Sequence, residues 1–149
     1  MIQRIQSLYL FLAAIFVALI GILKISTISN ETQTADLFYW SILGSEGAGA
    51  WVLTVTVPLA MILFLFTIFQ YKNRILQLKL SKLIYLLLAG IVIGIYLTTS
   101  SVIDGMKEGA IQIRGVAYYL PLSALVLNFL ASRAIMKDER LIKSVDRLR

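Results

Sequence analysis

The chain contains neither cysteine nor histidine. Without cysteine there is no disulfide and no thiolate to act as nucleophile or metal ligand. Without histidine the commonest metal ligand is missing, along with the side chain that ordinarily titrates between pH 5 and 8. Proline occurs twice, and only 15% of the 149 residues are charged, against about 25% in an ordinary soluble domain. Apolar residues take their place: the chain is 59% hydrophobic, with a mean hydropathy of +0.85. No phosphate-binding glycine loop, zinc motif or aromatic–basic nucleic-acid module is present. The net charge of +6 therefore reads as a membrane orientation signal, not as a nucleic-acid surface.

The apolar residues fall into four runs, approximately 7–23, 50–69, 83–99 and 116–136. Each approaches the ~20 residues a helix needs to cross ~30 Å of hydrocarbon. Lipid offers the backbone no hydrogen-bond partner, so these runs must be helical. The expected fold is an all-α membrane protein, a four-transmembrane-helix bundle forming a single domain over 1–149. The first run has the basic start and apolar stretch of a signal peptide, but Lys24-Ile25-Ser26-Thr27 follows with no small-x-small cleavage site. It reads as a retained helix.

Charge orients the spans. Eleven basic residues fall on one side: Arg4, the four of the 70–82 connection (Lys72, Arg74, Lys79, Lys82), and six from Arg133 onward. The other side has Lys24, Lys107 and Arg114, with most of the acids. The positive-inside rule puts both termini in the cytoplasm. Segments 24–49 and 100–115 then lie outside, and 70–82 and 137–149 inside. Tyr39, Trp40, Trp51, Tyr96, Tyr118 and Tyr119 flank the outer boundary, and Tyr71 and Tyr85 the inner one, as interfacial aromatics do. In the outer segments ISTIS, DLFYWSI and AIQIR have strand-like composition or alternation. They predict a small β-sheet. Asn30-Glu31-Thr32 also matches a glycosylation sequon, without force in a bacterial setting.

Span three contains Gly90 and Gly94, one turn apart, which let another helix approach closely. Ala14 and Ala18 on span one have the same spacing and make a plausible partner. Span four carries a small or polar stripe of Ala117, Pro121, Ala124, Asn128 and Ser132. The Asn128 amide, deep in the span, is expected to bond Thr54, Thr56 or a backbone carbonyl. Pro58 and Pro121 are candidate kinks.

Intramembrane catalysis or ion carriage calls for ionisable side chains at depth. The centres of the four spans carry no Asp, Glu, Lys or Arg. Asp36, Glu46, Asp104 and Glu108 are the carboxylates left for chemistry outside, and they would have to converge. No metal or cofactor is implied, and the chain is not expected to be an enzyme.

MIQRIQSLYLFLAAI, YKNRILQLKLSKL and RAIMKDERLIKSVDRLR resemble the domain of unknown function 4293 family, found mainly in Bacteroidota. The resemblance implies a four-helix inner-membrane protein and brings no activity. The closing segment is patterned. Leu141, Ile142, Val145 and Leu148 share one side of a helix, Glu139 stands four residues before Lys143, and Arg147 and Arg149 suit the helix C-terminus. The acids Asp138, Glu139 and Asp146 argue against a purely electrostatic contact with lipid.

The expected role is an accessory or scaffold protein. Lys72, Arg74, Lys79, Lys82, Glu139, Arg140, Lys143, Asp146 and Arg147 would dock a cytoplasmic or membrane protein partner, with membrane lipids around the spans and no nucleic acid. A small oligomeric transporter or channel with a site near Asn128, Pro58 and Pro121 is the alternative. The sequence does not set the oligomeric state.

Overall fold

A computed structural model describes residues 3–146 apart from Thr32, Lys72, Lys107 and Glu108, with side chains from Ile5 to Leu141. Most of the chain is helical. The elements in order are α1 (Gln3–Ile20), β1 (Lys24–Ser29), β2 (Thr34–Phe38), a short helix α2 (Tyr39–Ile42), α3 (Ala48–Phe69), α4 (Arg74–Gly105), β3 (Ile111–Arg114), one 3-10 turn at Val116–Tyr118, and α5 (Leu120–Asp146).

Three helices are long and apolar enough to cross a membrane: α3, α4 and the Leu120–Leu141 part of α5. At 1.5 Å per residue, the 22 residues of α3 span about 33 Å, close to a hydrocarbon core. α1 is shorter. A further turn follows it, in which the Gly21, Ile22 and Leu23 amides bond back to the carbonyls of Ala18 and Leu19.

α4 and α5 extend well past the apolar runs that predict them. α4 takes in residues 74–82 and 100–105, and α5 continues from Leu120 through the charged segment to Asp146. The true break between α3 and α4 is only Gln70–Asn73, where the Asn73 side chain accepts the Leu76 amide and caps α4. Pro121 stands in the first turn of α5, where its missing N–H costs nothing. It starts that helix and does not kink it. Pro58 lies inside α3, which continues through it.

The four long helices pack each on the next: α1 on α3, α3 on α4, α4 on α5, and α5 back on α1. Their buried positions alternate by three and four: Gln6, Leu10, Ala13, Val17 and Ile20 on α1, and Ala50, Leu53, Val57, Ala60, Phe64 and Thr67 on α3. On α4 the series is Gln77, Ser81, Ile84, Leu88, Ile91, Ile95 and Thr98, and on α5 Pro121, Ala124, Asn128, Ala131, Ile135 and Asp138. A 3–4 alternation is the seam of helices that cross at a shallow left-handed angle.

Glycine sets the closest approach. A Cβ on Gly94 would lie 2.8 Å from the Leu53 side chain, one on Gly90 3.2 Å from Thr56, and one on Gly49 2.5 Å from the Thr98 backbone nitrogen. The Gly90/Gly94 face therefore receives α3, not the Ala14/Ala18 face of α1. Ala14 is buried on α1, while Ala18 is half-buried.

The sheet sits where α1 and α4 end and α3 and α5 begin. Its order is β2-β1-β3, all antiparallel, with β1 central. Ile25 and Ile28 of β1 point into the core. Gly115 donates its amide to the Ile25 carbonyl at 2.8 Å, so close to the β1 backbone that a side chain would collide with Lys24. The DLFYWSI run divides: Asp36–Phe38 is strand, and Tyr39–Ile42 turns into α2. Ser41 accepts the Phe38 amide and donates to the Phe38 carbonyl, which fixes that corner.

Candidate functional site

The helix ends remote from the sheet carry most of the buried polar residues, Ser26, Thr98 and Thr99 being at the sheet end. Between Thr98 and the remote ends apolar side chains fill the 3–4 seams until the start of α1, the end of α3, the start of α4 and the second half of α5. There the same positions hold Gln6, Thr67, Gln77, Ser81, Asn128 and Asp138. Buried polar groups must find partners, and here the partners join helices in pairs. Gln77 donates its amide to the Thr67 carbonyl at 2.9 Å, tying α4 to α3. Asn128 donates to the Ser81 carbonyl at 3.1 Å and accepts the Ser81 hydroxyl at 3.2 Å, tying α5 to α4. Gln6 donates to the Ala134 carbonyl at 3.2 Å and to the Asp138 carboxyl, tying α1 to α5.

This narrows one expectation and changes another. Asn128 takes a backbone carbonyl, but neither Thr54 nor Thr56. Those hydroxyls bond back to the Ala50 and Val52 carbonyls of their own helix. Asp138, expected in a polar cytoplasmic tail, is 5% exposed and packed inward. Gln6 and Asp138 have a sequence signal after all. Gln6 stands in the spacing of Leu10, Ala13 and Val17, and Asp138 in that of Asn128, Ala131 and Ile135. A polar residue in an apolar seam marks a helix-pairing contact. Gln77 precedes Ser81 and Ile84 in the same way.

On its outer side α5 carries another pattern. Phe129, Arg133, Met136, Lys137, Arg140 and Leu141 are all exposed. The Arg133 guanidinium lies 5.2 Å from the centre of the Phe129 ring, a cation–π contact. Arg133, Met136, Lys137, Arg140 and Leu141 border a hollow of about 680 Å³.

The expected docking residues lie at the same end as this hollow. Lys79 and Lys82 are exposed on α4, Arg74 is half-buried in its first turn, and Arg140 is exposed on α5 beside half-buried Glu139. Lys143 and Asp146 are on α5 beyond the last described side chain, and Lys72 and Arg147 lie outside the described residues.

The chain matches the family described as Domain of unknown function (DUF4293) over residues 2–148. It belongs to that family. No curated protein and no solved structure matches it. For this DUF4293 chain the physical arrangement therefore has to carry the functional reading.

At the sheet end, Asp36 bonds the Thr27 hydroxyl at 2.7 Å and the Lys24 ammonium at 2.9 Å. The Thr27 hydrogen bond first, and then Lys24, holds its carboxyl below the ordinary aspartate value. Asp36 is thus occupied in joining β1 to β2. Glu46 and Asp104 are exposed, and Glu108 is outside the described residues. Among the described residues no three of His, Cys, Asp and Glu are grouped to hold a metal ion.

Proposed function

We propose that this DUF4293 protein is a non-enzymatic scaffold of the bacterial inner membrane. It is a four-helix membrane bundle in which α1 is the fourth span and both termini are cytoplasmic. The ends of α4 and α5 remote from the sheet dock a protein partner. One observation carries the reading: α5 runs without a break from Leu120 to Asp146, 27 residues or about 40 Å. It exceeds the hydrocarbon thickness and delivers a rigid charged arm beyond it. The inward face of that arm is fastened to α1 through Gln6 and Asp138, so its position is set by the bundle. That placement supports docking through Arg140, Lys143 and Asp146, with Arg74, Lys79 and Lys82 alongside; Arg147 lies outside the described residues. The reciprocal pairing of Asn128 with Ser81 supports a structural role for that amide over a transport site.

Topology and docking have separate tests. The chain is free of cysteine, so Gln33→Cys and Lys79→Cys can be labelled in intact cells with a membrane-impermeant maleimide. Gln33→Cys should react from outside, and Lys79→Cys only after lysis. The reverse pattern overturns the orientation. For docking, the full chain and a form ending at Met136 are purified from native membranes in mild detergent. A partner recovered with the first and lost with the second supports the scaffold. Identical recovery, or none with either, rejects it.

A further inference from the structure

The outward side of α5 changes character along its length. Leu122, Val126 and Phe129 are exposed and apolar, and Arg133, Met136, Lys137, Arg140 and Leu141 continue the same face. Eleven residues separate Leu122 from Arg133, about 16 Å of helix, close to half of a ~30 Å hydrocarbon core. When α5 spans the membrane, the apolar part of this face lies along one leaflet's acyl chains. Counted from Leu120, Arg140 then stands about 30 Å along α5, at the headgroup level of the other leaflet, and the long side chains of Lys137 and Arg133 reach toward that level.

The acids whose side chains are described do not share this face. Asp138 is turned into the α1–α5 contact, and Glu139 is half-buried around the helix from Arg133 and Arg140. Asp146 lies beyond the last described side chain.

We propose that this face is a binding site for an anionic phospholipid, the hollow bordered by Arg133, Lys137 and Arg140 taking the phosphate and headgroup. Its volume of about 680 Å³ lies within the ~300–1,000 Å³ usual for small-molecule sites. Guanidinium groups meet phosphate oxygens in a two-pronged geometry. The aliphatic Met136 and Leu141 pack against the glycerol and upper chain carbons. Phe129 holds the Arg133 guanidinium where the apolar part of the face gives way to the cationic part. The inference requires α5 to span a membrane and requires no protein partner, so it stands or falls separately from the docking reading.

The test uses the full chain in detergent, with native mass spectrometry of retained lipid. The probes are dioleoyl phosphatidylglycerol and dioleoyl phosphatidylcholine, which share acyl chains and differ in net charge. The wild type should retain phosphatidylglycerol at least tenfold better. Each cation near an anionic headgroup is worth about a fivefold factor. Arg133→Gln should therefore lower the preference about fivefold, and Arg133→Gln with Lys137→Gln and Arg140→Gln should bring it near parity. Arg114→Gln, at the sheet end, should leave it unchanged. Equal retention of the two lipids by the wild type overturns the proposal, with no need for a variant to fold. So does an equal loss with Arg114→Gln, which would show a response to net charge alone. Displacement of phosphatidylglycerol by millimolar inorganic phosphate would assign the hollow to free phosphate and also overturn it.

Discussion

Replacing Asn128 with leucine should weaken the helix assembly measurably. Asn128 is fully buried and makes two hydrogen bonds to Ser81, at 3.1 and 3.2 Å. Leucine has the same branched skeleton of four side-chain heavy atoms and is somewhat larger, so the substitution removes the bonds and leaves no cavity. Interhelical hydrogen bonds in membranes average about 0.6 kcal/mol and reach about 1.7. Two of them set a range of about 1–3 kcal/mol. The lower end is favoured because the Ser81 hydroxyl can turn back to a carbonyl on its own helix. Thr98 does this to Gly94 at 2.8 Å, and Ser132 to Asn128 at 2.9 Å. No donor is then stranded, and the expected loss is about 1 kcal/mol.

Ser81→Ala should cost less, since the carbonyl that accepts the Asn128 amide remains. A double-mutant cycle should give a coupling of about 0.6 kcal/mol for the Ser81 hydroxyl bond. The assay is reversible unfolding in mixed micelles, followed by far-ultraviolet circular dichroism. If Asn128→Leu changes stability by less than about 0.3 kcal/mol, the usual error of such additivity arguments, Asn128 is not a clamp between α4 and α5. The transport reading of that amide would then regain ground.

Gly49→Ala puts a methyl group 2.5 Å from the Thr98 nitrogen and 2.9 Å from the Leu97 Cβ. Neither can swing away, so it should cost about 1–3 kcal/mol and lower the thermal midpoint in detergent; an unchanged midpoint would show that α3 does not start against α4. Asp36 links β1 to β2 with its carboxyl held below the ordinary value of 3.8. Its contribution should be present above pH 3.8 and fade as pH falls through the lower folded value. Protection of the β1 and β2 amides, taken relative to their intrinsic exchange rates, should therefore fall at acid pH in the wild type, and Asp36→Asn should remove that fall.

How much of this was legible depends on which periodicity the sequence displays. The three longest apolar helices and the strand segments are readable, because length and alternation are visible in the residues themselves. Which side of each helix faces the core is not. α3 is apolar all round: Trp51, Val55, Leu59, Ile62 and Phe66 are exposed, while Leu53, Val57, Ala60 and Phe64 are buried. A helix in that setting shows little contrast between its faces. The contrast survives in size and polarity. Small residues and isolated polar ones occupy the 3–4 seam, as Ala13, Ala60, Ser81, Ala124 and Asn128 do. Hydropathy reports where charge begins, and α4 carries its hydrogen-bond ladder past that point into Lys79 and Lys82, while the continuation of α5 past Lys137 is legible in the spacing of Leu141, Ile142 and Val145. The Gly90/Gly94 spacing identified a close-packing face without naming the helix it meets, since Ala14/Ala18 and the Thr56/Leu53 side of α3 are equally compatible with it.

α1 looks like a signal peptide by composition, yet its packing argues for a retained helix. Leu10, Ala13, Val17 and Ile20 are wholly buried between α3 and α5, and the helix leads straight into β1, the central strand of the sheet. Cleavage near Leu23 would strip the α1 side from two neighbouring helices. It would also leave Asp138 facing lipid or water without its Gln6 partner, and turn Lys24 into a chain terminus at the start of the central strand. In a membrane the helices are held by close contact and hydrogen bonds, with little hydrophobic driving force to replace them. An assembly built this way has no cheap substitute for one of its four sides. The intact mass of protein purified from native membranes should therefore include residues 5–23, and a mature form beginning near Lys24 would overturn the retained-helix reading.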